Sequence, residues 1–322
     1  ASGPFSLEYE NFDRKDQTLM LTTTSTPKRS SKLAEATPPY PFAISKPVTF
    51  DFVEHPLDRI IHLIQTSADL PCIQSLQRLE EYLSPVSVDL KPRINALTAA
   101  LCVRLHECLV PQIDADGALK SRLCRYVCNA LVVTCTEFEL IQELLPDTLI
   151  ILLSETLTAL TSPQLLNFAD NEQLQRALNV LLVKVLEGSG KNNCYNALLV
   201  LLEQAFRVPP NQDEKYPEFI MKCLWKLTKQ IPAHLDSSEL NISKLLLDIH
   251  NFFCALPPLE WKTRANHRLP FEDLPLRTVK TILHELVVAE GVEVLRAILN
   301  DPFIKVVPDW KQSFVTSYLK AM

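Results

Sequence analysis

From Leu178 to Gly291 apolar residues recur every third or fourth position, in runs of similar length separated by short polar corners. In Tyr216 to Ile231 they are Tyr216, Phe219, Ile220, Cys223, Leu224, Leu227 and Ile231, an i, i+3, i+4, i+7 recurrence that lays one stripe along a 3.6-residue helix. Leu178, Leu181, Leu182, Val185 and Leu186 make a second stripe, Leu198, Leu201, Leu202 and Ala205 a third, and Ile242, Leu245, Leu246, Ile249 and Phe253 a fourth. An apolar stripe must be covered, and consecutive helices of matched length cover one another. The pattern predicts an all-α stack of helical hairpins, a solenoid whose rims and corners are its binding surface.

Helices are expected at Pro56 to Thr66, Pro71 to Leu83, Pro92 to Val110, Ala118 to Val133, Phe138 to Leu145 and Asp147 to Leu160. Further ones follow at Glu172 to Glu187, Asn193 to Phe206, Glu214 to Ile231, Ser237 to Ala255, Pro275 to Glu290, Val292 to Asn300 and Asp309 to Ala321. Thr136 with Glu139 and Asp236 with Glu239 have capping-box spacing, and Asn171 stands near Gln173 at another start. Gly188, Gly190 and Gly291 fall where helices stop, the place for a left-handed residue. Residues 1–54 differ in kind. Pro4, Pro27, Pro38, Pro39, Pro41 and Pro47 lie among Ser and Thr beside the basic Lys28, Arg29 and Lys32, so the segment reads as a linker. Its aromatic pieces, Phe5 to Phe12 and Tyr40 to Phe42, are alternatively anchors that dock on a body spanning 55–322.

Composition sharpens this picture. Five glycines against 23 prolines suit helices punctuated at their ends better than a turn-dense β-protein. The formal charge of −6 disfavours nucleic acid and anionic membranes as partners. The longest aliphatic run, Leu149 to Leu153, is far short of the ~20 residues needed to span a bilayer, and no signal peptide opens the chain. Nine cysteines, an odd number placed mostly within apolar stripes, read as reduced core thiols in a cytoplasmic protein.

Candidate chemistry is sparse. Cys124, Cys128 and Cys135 share a helix face and Cys102 precedes His106 by four residues, but one straight helix supplies at most two ligands to a tetrahedral metal. No H-E-x-x-H, G-x-S-x-G or phosphate-loop motif occurs. Gly188-Ser189-Gly190-Lys191 joins two helices, and Ile113 to Gly117 lacks most positions of a calcium loop. The expectation is a non-enzyme without cofactor or metal. Of the tryptophans, Trp225 reads as packed between layers and Trp261, beside Lys262 and Arg264, as the more exposed.

Five segments carry a family resemblance: Ala177 to Ser189 (ALNVLLVKVLEGS), Ala197 to Phe206 (ALLVLLEQAF), Met221 to Pro232 (MKCLWKLTKQIP), Leu245 to Phe253 (LLLDIHNFF) and Leu274 to Val287 (LPLRTVKTILHELV). In order and spacing they resemble the C-terminal region of the TOG-domain microtubule polymerases, the family of ch-TOG and mini spindles. The resemblance is strongest over Leu178 to Val288 and thinner back to His55. It implies a TOG-like domain of stacked HEAT repeats in a protein promoting microtubule growth at plus ends, spindle poles, centrosomes and kinetochores. In the family's tubulin-binding TOG domains a Trp occupies the first intra-repeat corner and basic residues the following ones. The matching corner here is Ser67-Ala68-Asp69-Leu70, with neither. Loss of one aromatic anchor commonly costs about 2–4 kcal/mol, which argues against ordinary αβ-tubulin capture.

The resemblance therefore points to the last, degenerate TOG-like domain, an interaction module for tubulin or γ-tubulin complexes and for spindle and centrosome adaptors. A direct tubulin binder with a non-standard surface and a generic HEAT-repeat adaptor are the alternatives. The expected partner-binding residues are Lys191 and Asn192, His234 within Pro232 to Asp236, and the basic Lys262, Arg264 and Arg277.

Overall fold

A computed structural model describes residues 55–110, 117–207, 215–267, 271–294, 296 and 313–321, with the Lys262 side chain left out. Every regular element among them is helical: α1 (Pro56–Thr66), α2 (Asp69–Leu83), the 3₁₀ turn η1 (Val88–Arg93), α3 (Ile94–Leu109), α4 (Gly117–Thr136), α5 (Phe138–Ile141) and α6 (Pro146–Thr161). A second 3₁₀ turn, η2 (Pro163–Asn167), precedes α7 (Asn171–Gly188), α8 (Lys191–Arg207), α9 (Lys215–Thr228), α10 (Ile231–Asp236), α11 (Ile242–Ala255), α12 (Pro258–Asn266), α13 (Leu274–Glu290) and α14 (Phe314–Ala321).

Helices α1, α3, α6, α8, α11 and α14 pack in sequence as one column. Beside it α2 packs on α4 and α4 on α7, and α9 packs on α13, each against its hairpin partner in the first column. The Lys226–Glu187 ion pair, 3.2 Å, links α9 to α7. This is the stacked array the stripes predict, consistent with a HEAT- or TOG-like repeat. One continuous apolar core runs from Leu57 to Leu319. The expected stripes are its substance: Leu178, Leu181, Leu182, Val185 and Leu186 are each at most 1% exposed.

Helix boundaries follow local chemistry. Pro56 opens α1 while the His55 Nδ1 accepts from the Leu57 amide at 3.2 Å. The expected helix Glu214 to Ile231 instead ends at Thr228, because Pro232 brings no amide and its ring would strike the Thr228 carbonyl four residues back. Residues 231–236 become a separate turn of helix. Ser238 then takes a positive φ of 59°, so the box expected from Asp236 and Glu239 does not form. The real cap of α11 is Asn241, whose side chain accepts from the Lys244 amide at 3.0 Å. Thr136 likewise ends α4 rather than opening α5, and its hydroxyl donates to the Val132 carbonyl. At α7 the cap is Asp170, one residue before Asn171.

Only Gly291 of the three expected stop glycines has a positive φ, 56°. Gly188 is the last helical residue of α7, and smallness is its reason: a Cβ there would lie 2.9 Å from the Ile141 side chain of α5. The helix Pro258–Asn266 was not expected at all. The segment 1–54, residues 113–116 of the loop before Gly117, most of the expected helix Val292 to Asn300 and residues 309–312 of the expected helix Asp309 to Ala321 fall outside the described residues.

Candidate protein-binding surface

Successive repeats are bolted together at their corners by residues about fifty apart. Asn95, second residue of α3, donates to the Glu143 carbonyl at 3.0 Å and accepts from the Leu145 amide at 2.8 Å. Asn192, second residue of α8, does the same with Asn241, donating at 2.8 Å and accepting at 2.7 Å. Each amide side chain thus pairs with the backbone at the N-cap of the next first-column helix. Both polar atoms of Asn192 are committed to the fold.

Lys191 is 5% exposed. Its ammonium donates to the carbonyls of Leu186 at 3.0 Å and Glu187 at 2.7 Å, closing the C-terminal end of α7, where the helix dipole favours a cation. Arg104 performs the same task deeper in the array. It is buried, donates to the carbonyls of Ile64 and Ser67, and pairs with Glu107 at 2.6 Å. With Lys120 on Asp69 at 3.2 Å, Arg104 ties down the α1–α2 corner. His234 is 8% exposed, and its Nδ1 has no protein hydrogen-bond partner. Burial lowers its pKa, and the nearby Lys191 charge lowers it further.

The other candidates lie towards the far end of α8, roughly 20–25 Å from Lys191 at ~1.5 Å per residue. Arg264 on α12 lays its guanidinium over Phe206 at 5.1 Å and over Trp261 at 5.6 Å, and desolvation lowers its pKa. Arg277, in the first turn of α13, pairs with Asp273 at 2.8 Å. The six expected residues therefore form two groups, at opposite ends of one helix, and the Lys262 side chain is outside the described set.

Trp261 is fully buried, contrary to expectation. Its indole meets Phe206 edge-on at 5.3 Å and Phe252 stacked at 6.5 Å, and Nε1 donates to the Leu256 carbonyl at 3.2 Å. A large ring whose one polar atom finds a carbonyl is well placed in a core. Trp225 is instead half-buried on α9, with part of its ring at the surface. It belongs to an outward stripe, Lys222, Trp225, Lys226 and Lys229, at i, i+3, i+4 and i+7 on the side opposite the buried Phe219, Ile220, Cys223, Leu224 and Leu227. Lys229 rides over the Trp225 ring at 5.8 Å, Lys222 pairs with Glu218 at 2.9 Å, and Lys226 pairs with Glu187. The sequence carried this signal, since the offsets that define the buried stripe define its complement.

All nine cysteines are free thiols, eight of them buried, with only Cys254 exposed. Among the described residues no group of three or more His, Cys, Asp or Glu is placed to hold a metal ion, and no helix is long and apolar enough to cross a membrane. What the surface offers is basic and aromatic side chains on rigid helices, suited to recognising another macromolecule.

Comparison with known proteins places this array among relatives. The chain is 32% identical over 184 residues to Protein MOR1 of Arabidopsis thaliana, covering 54% of this chain and 9% of that protein. It is 32% identical over 151 residues to Protein mini spindles of Drosophila melanogaster (47% and 7%) and 31% over 221 residues to Protein MOR1 of Oryza sativa subsp. japonica (66% and 11%). The homology is distant and partial, and the chain spans about a tenth or less of the length of these relatives. No family model and no solved structure matches.

Proposed function

We propose that residues 55–322 form the last, degenerate TOG-like domain of a microtubule polymerase of the ch-TOG and mini spindles family, preceded by a linker at 1–54. The domain is an interaction module without catalytic chemistry. It helps hold the polymerase on tubulin or γ-tubulin assemblies and on adaptors at spindle, centrosome and kinetochore, and so supports microtubule growth. The observation that carries this reading is the partial homology to mini spindles and MOR1 in a chain whose helices stack as a repeat array.

The α1–α2 corner supports the degenerate assignment. Asp69 is engaged by Lys120, the Ser67 carbonyl by Arg104, and Leu70 alone stands as an exposed apolar side chain there. Lys191 and His234 shape the opposite edge from within, whereas Arg264 and Arg277 offer charge nearer the surface. To these we add the Lys222, Trp225, Lys226 and Lys229 stripe of α9.

That stripe also favours a second reading, direct binding of αβ-tubulin by a non-standard surface, because a partly exposed Trp is a frequent binding anchor and the lysines beside it suit an acidic partner. Size-exclusion chromatography of the full chain with αβ-tubulin at micromolar concentration separates the two. Separate elution, together with recovery of spindle or centrosomal proteins from mitotic extract that Trp225→Ala or Lys229→Glu reduces, fits the adaptor reading. Co-elution fits direct capture. Recovery of neither tubulin nor any microtubule-associated protein would remove both.

A further inference from the structure

A shallow groove runs between α2 and α4, on the outer side of the second column. It consists of two contiguous depressions of about 230 and 210 Å³ that share Glu80, Tyr126 and Asn129. Towards the chain's entry edge its floor is apolar, with Leu76, Leu83 and Val133. At the other end it is rimmed by Arg122 and Arg125. Tyr126 stands between the halves, its hydroxyl accepting from the Gln77 amide at 3.1 Å and its ring under the Arg122 guanidinium at 5.8 Å. Arg125 pairs with Asp170 at 3.1 Å and is half-exposed, so it keeps donors facing outward. This end of the groove thus carries two arginines, with Glu80 on the same rim and Asp170 paired to Arg125.

We propose that this groove binds the acidic-aromatic segment Phe5–Asp13 of the same chain. Phe5, Leu7 and Tyr9 alternate with Ser6, Glu8 and Glu10. An extended pose would therefore lay three apolar groups along one side and turn the carboxylates to the other, within reach of a basic rim. Glu8, Glu10 and Asp13 give the segment a charge of −3, complementary to Arg122 and Arg125.

The tether favours this occupant over others. The body begins at His55, whose Nε2 lies 3.5 Å from Asp89 of η1, immediately after the apolar end of the groove. About 40 residues separate Asp13 from His55. A coil of that length would have a root-mean-square span of roughly 35 Å, and the groove is about 17 Å long from Arg122 to Val133 at ~1.5 Å per residue. Tethering at such a distance gives an effective concentration near the millimolar range. At micromolar protein the segment thus meets its own groove far more often than a neighbour's.

Photo-crosslinking in the full chain tests this, with Tyr9→p-benzoylphenylalanine and mass-spectrometric mapping of the adducts. The expected result is intramolecular adducts on α2 and α4 between Leu76 and Val133, with a yield that dilution leaves unchanged. Arg122→Glu, at an exposed site that leaves the helical circular dichroism intact, should lower that yield roughly threefold to fivefold. Adding Glu8→Arg to it should restore the yield. Adducts on other helices, a yield indifferent to both charge changes, or dimeric adducts that grow with concentration would each overturn the proposal, the last by assigning the groove to a second copy.

Discussion

Two tryptophans mark the contrast between the inward and outward halves of this molecule. Trp261 of α12 is sealed among Phe206, Phe252 and Arg264, while Trp225 of α9 lies at the rim under Lys229. Both have basic residues beside them in sequence, which made Trp261 look like the surface residue. Sequence neighbours do not decide the matter. Phase on the helix does: Trp225 falls outside the stripe set by Phe219, Cys223 and Leu227, whereas the short α12 has no long stripe by which to fix a phase. The same division separates the cations. Lys191 and Arg104 point in and close helix ends, and Lys222, Lys226 and Lys229 point out.

The strongest way to break this contrast is Trp261→Ala, which should cost about 3–5 kcal/mol by removing a fully buried ring; urea denaturation would show it as a large fall in midpoint. Lys191→Met keeps the aliphatic stem but strips the donors from the Leu186 and Glu187 carbonyls. A loss of about 2–3 kcal/mol is expected, and no loss would mean that the lysine is not engaged from within.

Asp248 offers a change of opposite sign. It accepts from Asn196 at 2.8 Å, and burial pushes its carboxyl up to about 6. A carboxyl whose folded pKa exceeds its unfolded value of 3.8 favours the fold below about pH 4, an advantage lost as pH rises through about 6. Asp248→Asn should therefore raise stability by about 1–2 kcal/mol at pH 7, after discounting for partial exposure, and by nothing at pH 4. Denaturation at the two pH values checks the sign. The smallest stability effect belongs to Trp225→Ala, about 1 kcal/mol for a half-buried ring, together with the clearest loss of partner recovery. A large loss of stability there would erase the distinction between the two tryptophans.

Long stripes made the array legible. Pro56–Thr66 matches its expected limits, and the segments around Leu178 to Phe206 agree within two residues because several turns of period 3.6 reinforce one another. Caps were less legible. Thr136 and Asp236 have the right partners three residues on, yet a capping box needs its first residue outside the helix, and α4 continues through Thr136 while the turn at Ser238 intervenes after Asp236. The surface was least legible. Lys191 looks like a corner lysine in the sequence, and only three-dimensional placement shows that two carbonyls of the preceding helix reclaim its charge.

The distribution of thiols gives the fold a built-in gauge. With eight sulfhydryls sealed and Cys254 alone at the surface, a maleimide reagent should mark an intact molecule once. Each local opening of the stack would admit another adduct at an address that peptide mapping can read. Counting tags by mass under rising urea would then reveal whether the column opens from one end, hairpin by hairpin, or gives way everywhere together.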